Sequence, residues 1–194
     1  MIFRFWQSLS FPAKVCLVFG LVLLLRLVFM TQIGLIDDEA YHWSWAKELA
    51  LSYYDHPGLI AWLEAGSTGL FGDREWAVRL PAFICYVVTV VVSFRLALEM
   101  FGAWVAAFTA LMIFFTPLWG FGGFVASPEP PFMMLWMLGA YVFWRGFNET
   151  EFEWSPAKTW TLLGLILGLG LNAKFIIAML AFGFGTYILF SRHR

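Results

Sequence analysis

Between Ile36 and Trp62 the chain reads IDDEAYHWSWAKELALSYYDHPGLIAW, which puts three consecutive carboxylates, two histidines and an Asp-His-Pro directly after a long apolar run. Clustered acids where the dielectric falls are costly unless they bind something or react with something. Asp38 and His42 are four residues apart and share one helical face. A carboxylate with an imidazole one turn away is a base and its partner, or two metal ligands. The plainer reading is that acids at a helix start offset its positive end.

Two further groups carry potential chemistry. In Tyr53-Tyr54-Asp55-His56-Pro57 the proline forces His56 into extended backbone, turning Asp55 and His56 away from a preceding helix. Asp55 is then a hard oxygen ligand for a divalent metal and His56 a contact for a phosphate or for the metal, or the segment is a solvated turn. A single Asp-His is too little to name a metal. In ASPEPPF, Glu129 stands among three prolines. Of the basic residues, Arg79 and Lys174 could cradle a phosphate near a membrane surface, or simply snorkel there. Arg26 sits inside an apolar run, where a charge costs several kcal/mol unless relieved by a partner or by water.

The elements that must position these residues follow from composition. Of the 194 residues, 61% are hydrophobic and 13% charged, with a mean hydropathy of +0.78; soluble domains average about a quarter charged. The chain therefore reads as an all-α polytopic membrane protein, one transmembrane domain over residues 1–194. The net charge of −1 gives no reason to expect nucleic acid. Cys16 and Cys85 both lie in apolar runs and read as buried thiols. A span needs about 20 apolar residues. Candidates are Cys16–Ile36, read as an uncleaved first span, then Leu80–Leu98, Trp104–Phe121 and Pro131–Trp144. Trp160–Phe190 is too long for one helix and is broken at Asn172–Lys174, which gives about six spans.

With a cytoplasmic N-terminus, seven Lys and Arg fall in inside segments against four outside, which directs the Asp37–Glu75 loop outward. That loop carries eight of the thirteen acids. DEAYHWSWAKELALSYY lacks Gly and Pro and is expected to be helical throughout, with Trp43, Ala46, Leu49 and Ala50 on one side. Pro57-Gly58 should end that helix, and LIAWLEAGSTGLFG reads as a second, short amphipathic one. Both are expected to lie in the membrane interface, where aromatic rings prefer to sit. Asp38, Asp55 and Glu129 then share one side of the membrane.

DDEAYHWSW after a first span, SYYDHPGLIAWL, REWAVRLP, the Ser-Pro-Glu-Pro loop and LGLGLNAKF, taken in order, resemble the dolichyl-phosphate-mannose-protein mannosyltransferase superfamily of membrane glycosyltransferases. The resemblance is to its bacterial branch, which includes the aminoarabinose transferase acting on lipid A. It implies a GT-C fold and transfer of a sugar from a polyprenyl-phosphate carrier to a lipid, glycan or protein acceptor on the outer face of a bacterial inner membrane. The first loop would then face the periplasm. By resemblance Asp38 is the principal catalytic carboxylate and Glu39 its neighbour. Tyr41, Tyr53, His56, Arg79, Glu129 and Lys174 line the substrate site, and a divalent metal, if used, is held by Asp55. Glu129 stands where an Asp is usual, and His56 where some members carry a Lys. Family members usually run to several hundred residues and about a dozen spans. The chain is therefore expected to correspond to an N-terminal portion, with a partner chain as one source of the remaining spans.

Two other readings use the same residues. In one, the acids and bases recognise a polyprenyl-phosphate headgroup without turnover, in a transport or assembly protein. In the other, Asp38, His42, Asp55 and His56 form a metal-dependent hydrolase. Only the hydrolase requires His42.

Overall fold

A computed structural model describes residues 7, 11–116, 123, 125–147 and 154–191. Among these, regular structure is helical apart from an isolated bridge between Ser52 and Pro57. In chain order the helices are α1 (Phe11–Gln32), α2 (Asp37–Trp45), α3 (Leu59–Phe71), α4 (Glu75–Phe101), α5 (Ala103–Phe115), α6 (Glu129–Phe147), α7 (Pro156–Ala173), a 3-10 turn (Phe175–Ile177) and α8 (Ala178–Phe190). The chain divides into two compact units, Met1–Gly34 and Leu35–Arg194. The first consists of α1 and the residues around it; everything described below belongs to the second.

Among the described residues two helical stretches, Ala13–Gln32 and Glu75–Phe101, are long and apolar enough to cross a membrane. The expected stretches Leu80–Leu98 and Pro131–Trp144 fall within α4 and α6, and the expected break at Asn172–Lys174 ends α7. The end of the Trp104–Phe121 stretch, from residue 117, lies outside the described residues, as does the Cys16 side chain. Cys85 is a free, buried thiol.

The helix beginning in the acidic stretch is much shorter than its composition predicts. It ends at Trp45, not near Tyr54. The cause is Tyr53. Its ring stacks on Trp45 with centroids 4.5 Å apart, a contact of about 0.5–1.5 kcal/mol. Its hydroxyl lies 2.9 Å from the carbonyl oxygens of Trp45 and Glu48, to which it donates, and accepts from the Ala50 N–H at 3.0 Å. Backbone groups that a longer helix would have paired are thus satisfied by one side chain. Of the residues expected on one helical side, Ala46, Leu49 and Ala50 lie beyond the end of this helix.

Gly58 makes the next turn possible. The Trp62 indole N–H donates to the Ala50 carbonyl at 2.8 Å, and a Cβ on Gly58 would sit 2.6 Å from that same oxygen. α3 follows as expected. Its buried residues Leu59, Ile60, Ala61, Glu64, Ser67 and Thr68 recur at helical spacing.

α4 is the central helix of the second unit, packed by α3, α5 and α6. It contains Pro81, which has no N–H and so cannot satisfy the carbonyl four residues back, that of Ala77. The Ser67 hydroxyl, from α3, donates to that carbonyl at 2.6 Å. The proline therefore leaves no unpaired group, and the repair ties α3 to the first turns of α4. An apolar cluster joins Leu59 of α3 to Leu135 and Val142 of α6, Leu163, Ile166 and Ala173 of α7, Ile177 of the 3-10 turn and Leu180 of α8. The turn can fold against α7 because residue 170 is glycine; a Cβ there would lie 2.0 Å from Ile177 Cδ1. Lys174, in extended backbone, stands at this break.

Candidate functional site

Three acids open α2 and meet different fates. Asp37 and Asp38 are exposed. Glu39 is buried, and its carboxylate organises the unit. Arg79 of α4 donates through Nε to Glu39 Oε1 at 2.7 Å and through its terminal nitrogen to Oε2 at 2.5 Å. The side chains are 2% and 1% exposed. Oε1 also accepts from the Ala126 N–H and Oε2 from the Ile36 N–H, each at 3.1 Å. One carboxylate thus fastens the start of α2 to α4 and to the Ala126–Pro128 segment before α6. Charge-assisted, bidentate bonding of this kind offsets the cost of burying both ions. Expected to face outward and cradle a phosphate, Arg79 is instead directed at Glu39.

With α2 so fixed, the face bearing Asp38 and His42 has a defined position. The Asp38 carboxylate is 61% exposed and lies 3.9 Å from His42 Nδ1, beyond hydrogen-bond reach. His42 is buried, packed edge-on against Trp45 at 4.8 Å and facing the His56 ring at 6.2 Å. Among the described residues its Nδ1 has no hydrogen-bond partner. Burial pushes the imidazole below its ordinary value; the charges of Asp38 and Glu129 pull the other way, and His56 adds to the lowering. One imidazole thus feels groups from α2, from the Asp-His-Pro turn and from the start of α6.

Beside it, the Tyr41 hydroxyl donates to Asp55 at 2.7 Å. That bond raises the phenol above its usual value. Glu129, exposed at the start of α6, is ion-paired with Lys174 at the α7 break. Lys174 therefore reaches the same neighbourhood as His42 through Glu129. The expected site residues Asp38, Tyr41, Asp55, His56, Glu129 and Lys174 lie around this imidazole or are one contact removed from it. Glu39 and Arg79 are buried in their mutual ion pair, and Tyr53 is occupied with the end of α2.

The donor set for a metal is thin. Among the described residues no three His, Cys, Asp or Glu side chains are grouped so that they could hold an ion. Asp55 offers one carboxylate, already engaged by Tyr41. These residues alone do not constitute a metal centre.

Sequence reasoning passed over Ser67, the Ala126 N–H and Glu64. Glu64 left a signal, since it falls on the apolar stripe of α3 with Ile60, Ala61 and Thr68. The Ala126 contact spans 87 residues and leaves none.

Apolar helices that carry a polar, acid-rich site define a helical membrane protein. Residues 55–194, most of the chain, match the dolichyl-phosphate-mannose-protein mannosyltransferase family, and the chain belongs to it. Among curated proteins it is similar to undecaprenyl phosphate-alpha-4-amino-4-deoxy-L-arabinose arabinosyl transferases. The protein of that name from Edwardsiella ictaluri is 30% identical over 132 residues, 68% of this chain and 24% of the relative. Those of Erwinia tasmaniensis and Photorhabdus laumondii are 26% and 27% identical over 71% and 68% of the chain, and 25% and 24% of their own lengths. The chain thus spans about a quarter of the length of these relatives. No solved structure matches it.

Proposed function

We propose that this chain forms part of a glycosyltransferase that moves a sugar from a polyprenyl-phosphate carrier to an acceptor on the outer face of a bacterial inner membrane. The relatives' names support undecaprenyl phosphate as the carrier and an amino sugar as its cargo. The observation that carries the reading is that Asp38, 3.9 Å from His42, and His56, with its ring 6.2 Å away, come together from separate segments, with the charge of Glu129 bearing on the same imidazole. In this reading about six spans form a GT-C-like bundle. α2 and α3, at 9 and 13 residues, are too short to cross about 30 Å of hydrocarbon at 1.5 Å per residue. They lie in the interface, with the first loop facing the periplasm.

Asp38, exposed and free of a close cation, accepts the proton of an acceptor hydroxyl as its oxygen bonds to the anomeric carbon. The bond from that carbon to the carrier phosphate breaks, and the phosphate leaves with the electron pair. Lys174, released from Glu129, and His56 face the phosphate and offset its charge. Tyr41 and Asp55, bonded to each other, shape the sugar's side of the site.

Asp38→Asn in the whole protein, assayed with labelled undecaprenyl-phosphate-linked sugar in membranes, should lower transfer by roughly 10²–10⁴-fold. Insertion and thermal midpoint should be nearly unchanged, because the Asp38 carboxylate is 61% exposed and its basic neighbour His42 is 3.9 Å away. Transfer at the wild-type rate would remove Asp38 from the mechanism. Carrier binding without sugar release by the wild-type protein would favour the non-catalytic reading.

A further inference from the structure

Among the described residues, the acid least exposed to water has no role in the mechanism above. Glu64 is 0% exposed, and among the described residues neither of its carboxyl oxygens has a hydrogen-bond partner. It occupies a core position of α3, one turn before Ser67. The Ser67 hydroxyl meets the Ala77 carbonyl, and residues 72–74 turn the chain back from α3 into α4. That register sets Glu64 level with the turn of α4 just beyond Ala77, the turn that carries Arg79. At that level the charge of Glu39 reaches the acid. An ionised carboxylate here would have no donor among the described residues and would stand against the charge of Glu39.

We propose that Glu64 is a positioning residue that works as an uncharged carboxylic acid, so that no second negative charge is buried against Glu39 and α2, with Asp38 on it, stays in place. The catalytic part of this statement rests on the proposed role of Asp38; the structural part does not. Charged groups on the elements packed against α3 are Asp37, Asp38, Glu39 and His42 on α2, Glu75, Arg79, Arg95 and Glu99 on α4, and Lys158 on α7. Of these, Glu39 is the one whose charge acts on Glu64. Burial first, and then that charge, push the Glu64 carboxyl from 4.5 up to about 9. The folded value lies above the unfolded one, so unfolding releases a proton between them. Stability from this group is greatest below pH 4.5 and falls as pH rises to about 9.

The test compares wild type with Glu64→Gln, a neutral isostere, in the whole protein. Thermal midpoints in detergent are followed from pH 5 to 9.5, with labelled-sugar transfer measured alongside. The wild-type midpoint should fall across this range, and Glu64→Gln should remove that component while keeping the fold. At pH 9.5 a group titrating near 9 is about three-quarters ionised, so wild-type transfer relative to Glu64→Gln should drop about four-fold from its ratio at pH 6.5. A wild-type pH slope in Glu64→Gln, or failure of that variant to fold, would overturn the proposal, since a neutral side chain should replace a neutral acid. The same midpoint series on an Asp38→Asn background separates the two ideas. If Asp38→Asn keeps full transfer, the catalytic reading falls while the difference in slope still decides the role of Glu64.

Discussion

Two carboxylate–cation pairs join distant segments of the second unit at very different exposure. Glu39 and Arg79 are 1% and 2% exposed; Glu129 and Lys174 are 48% and 26% exposed. The formal charges are the same, and both pairs join distant segments. They differ in what water and geometry allow. Arg79 presents a planar fork that fills both carboxylate oxygens, and two backbone N–H groups complete the set. Lys174 presents a point charge on a flexible stem, already part-solvated. A buried, fully bonded pair fixes segments in place, and breaking it strands an ion away from water. A solvated pair exchanges partners at little cost. The first kind suits a scaffold and the second suits contact with a charged ligand.

The strongest way to break that comparison is to remove the buried cation. Arg79→Ala strands the Glu39 carboxylate in the core, at a cost of about 3–5 kcal/mol. It should also release α2 from α4 and from the Ala126 segment. We expect a large drop in the thermal midpoint and loss of transfer, with Arg79→Lys intermediate because a single ammonium cannot reproduce the fork. If Arg79→Ala proved no more destabilising than Lys174→Ala, burial would not be what separates the two pairs.

How much of this was legible in the sequence differs between the same two pairs. Lys174 could be placed because NAK interrupts an apolar run too long for one helix, and Glu129 because prolines fix its surroundings. Local chemistry was enough. The Glu39–Arg79 pair joins residues 40 apart, and nothing local distinguishes Glu39 from Asp38 beside it. Which of three adjacent acids turns inward depends on where α4 lies. The end of α2 was hidden for the same reason: its composition favours helix through Tyr54, but the Tyr53 hydroxyl offers the backbone of residues 45–50 a different set of bonds. Glu64 was overlooked because an acid in an amphipathic pattern is by default assigned to water, although its spacing put it on the apolar face of α3.

A smaller effect sharpens the claim that α4 must be held in register for the buried pair to form. Pro81 leaves the Ala77 carbonyl without its helical donor, and Ser67 supplies one. Ser67→Ala removes that donor inside a buried contact, which costs about 1–3 kcal/mol. The loss should register as a lower thermal midpoint. Pro81→Ala in the same background should recover part of it, since an alanine in place of the proline would bring back a backbone N–H for the carbonyl. No recovery would mean that Ser67 matters for packing and not for the bond.

The smallest effect on stability is expected at the exposed pair, and there the contrast with transfer is the informative quantity. A double-mutant cycle of Glu129→Gln and Lys174→Ala should give a coupling below about 1 kcal/mol, reduced further by salt, as for other solvated pairs. If Lys174 faces the carrier phosphate during transfer, Lys174→Ala should nonetheless raise KM for the lipid-linked donor, because the ammonium is then exchanged from Glu129 to the substrate. Glu129→Gln should lower KM, since it removes the competitor for the same ammonium. Opposite movements of KM with nearly unchanged midpoints would mark the pair as a reservoir of positive charge for the ligand. Movement of both KM values in one direction would mean that the pair acts as a unit, as the buried one does.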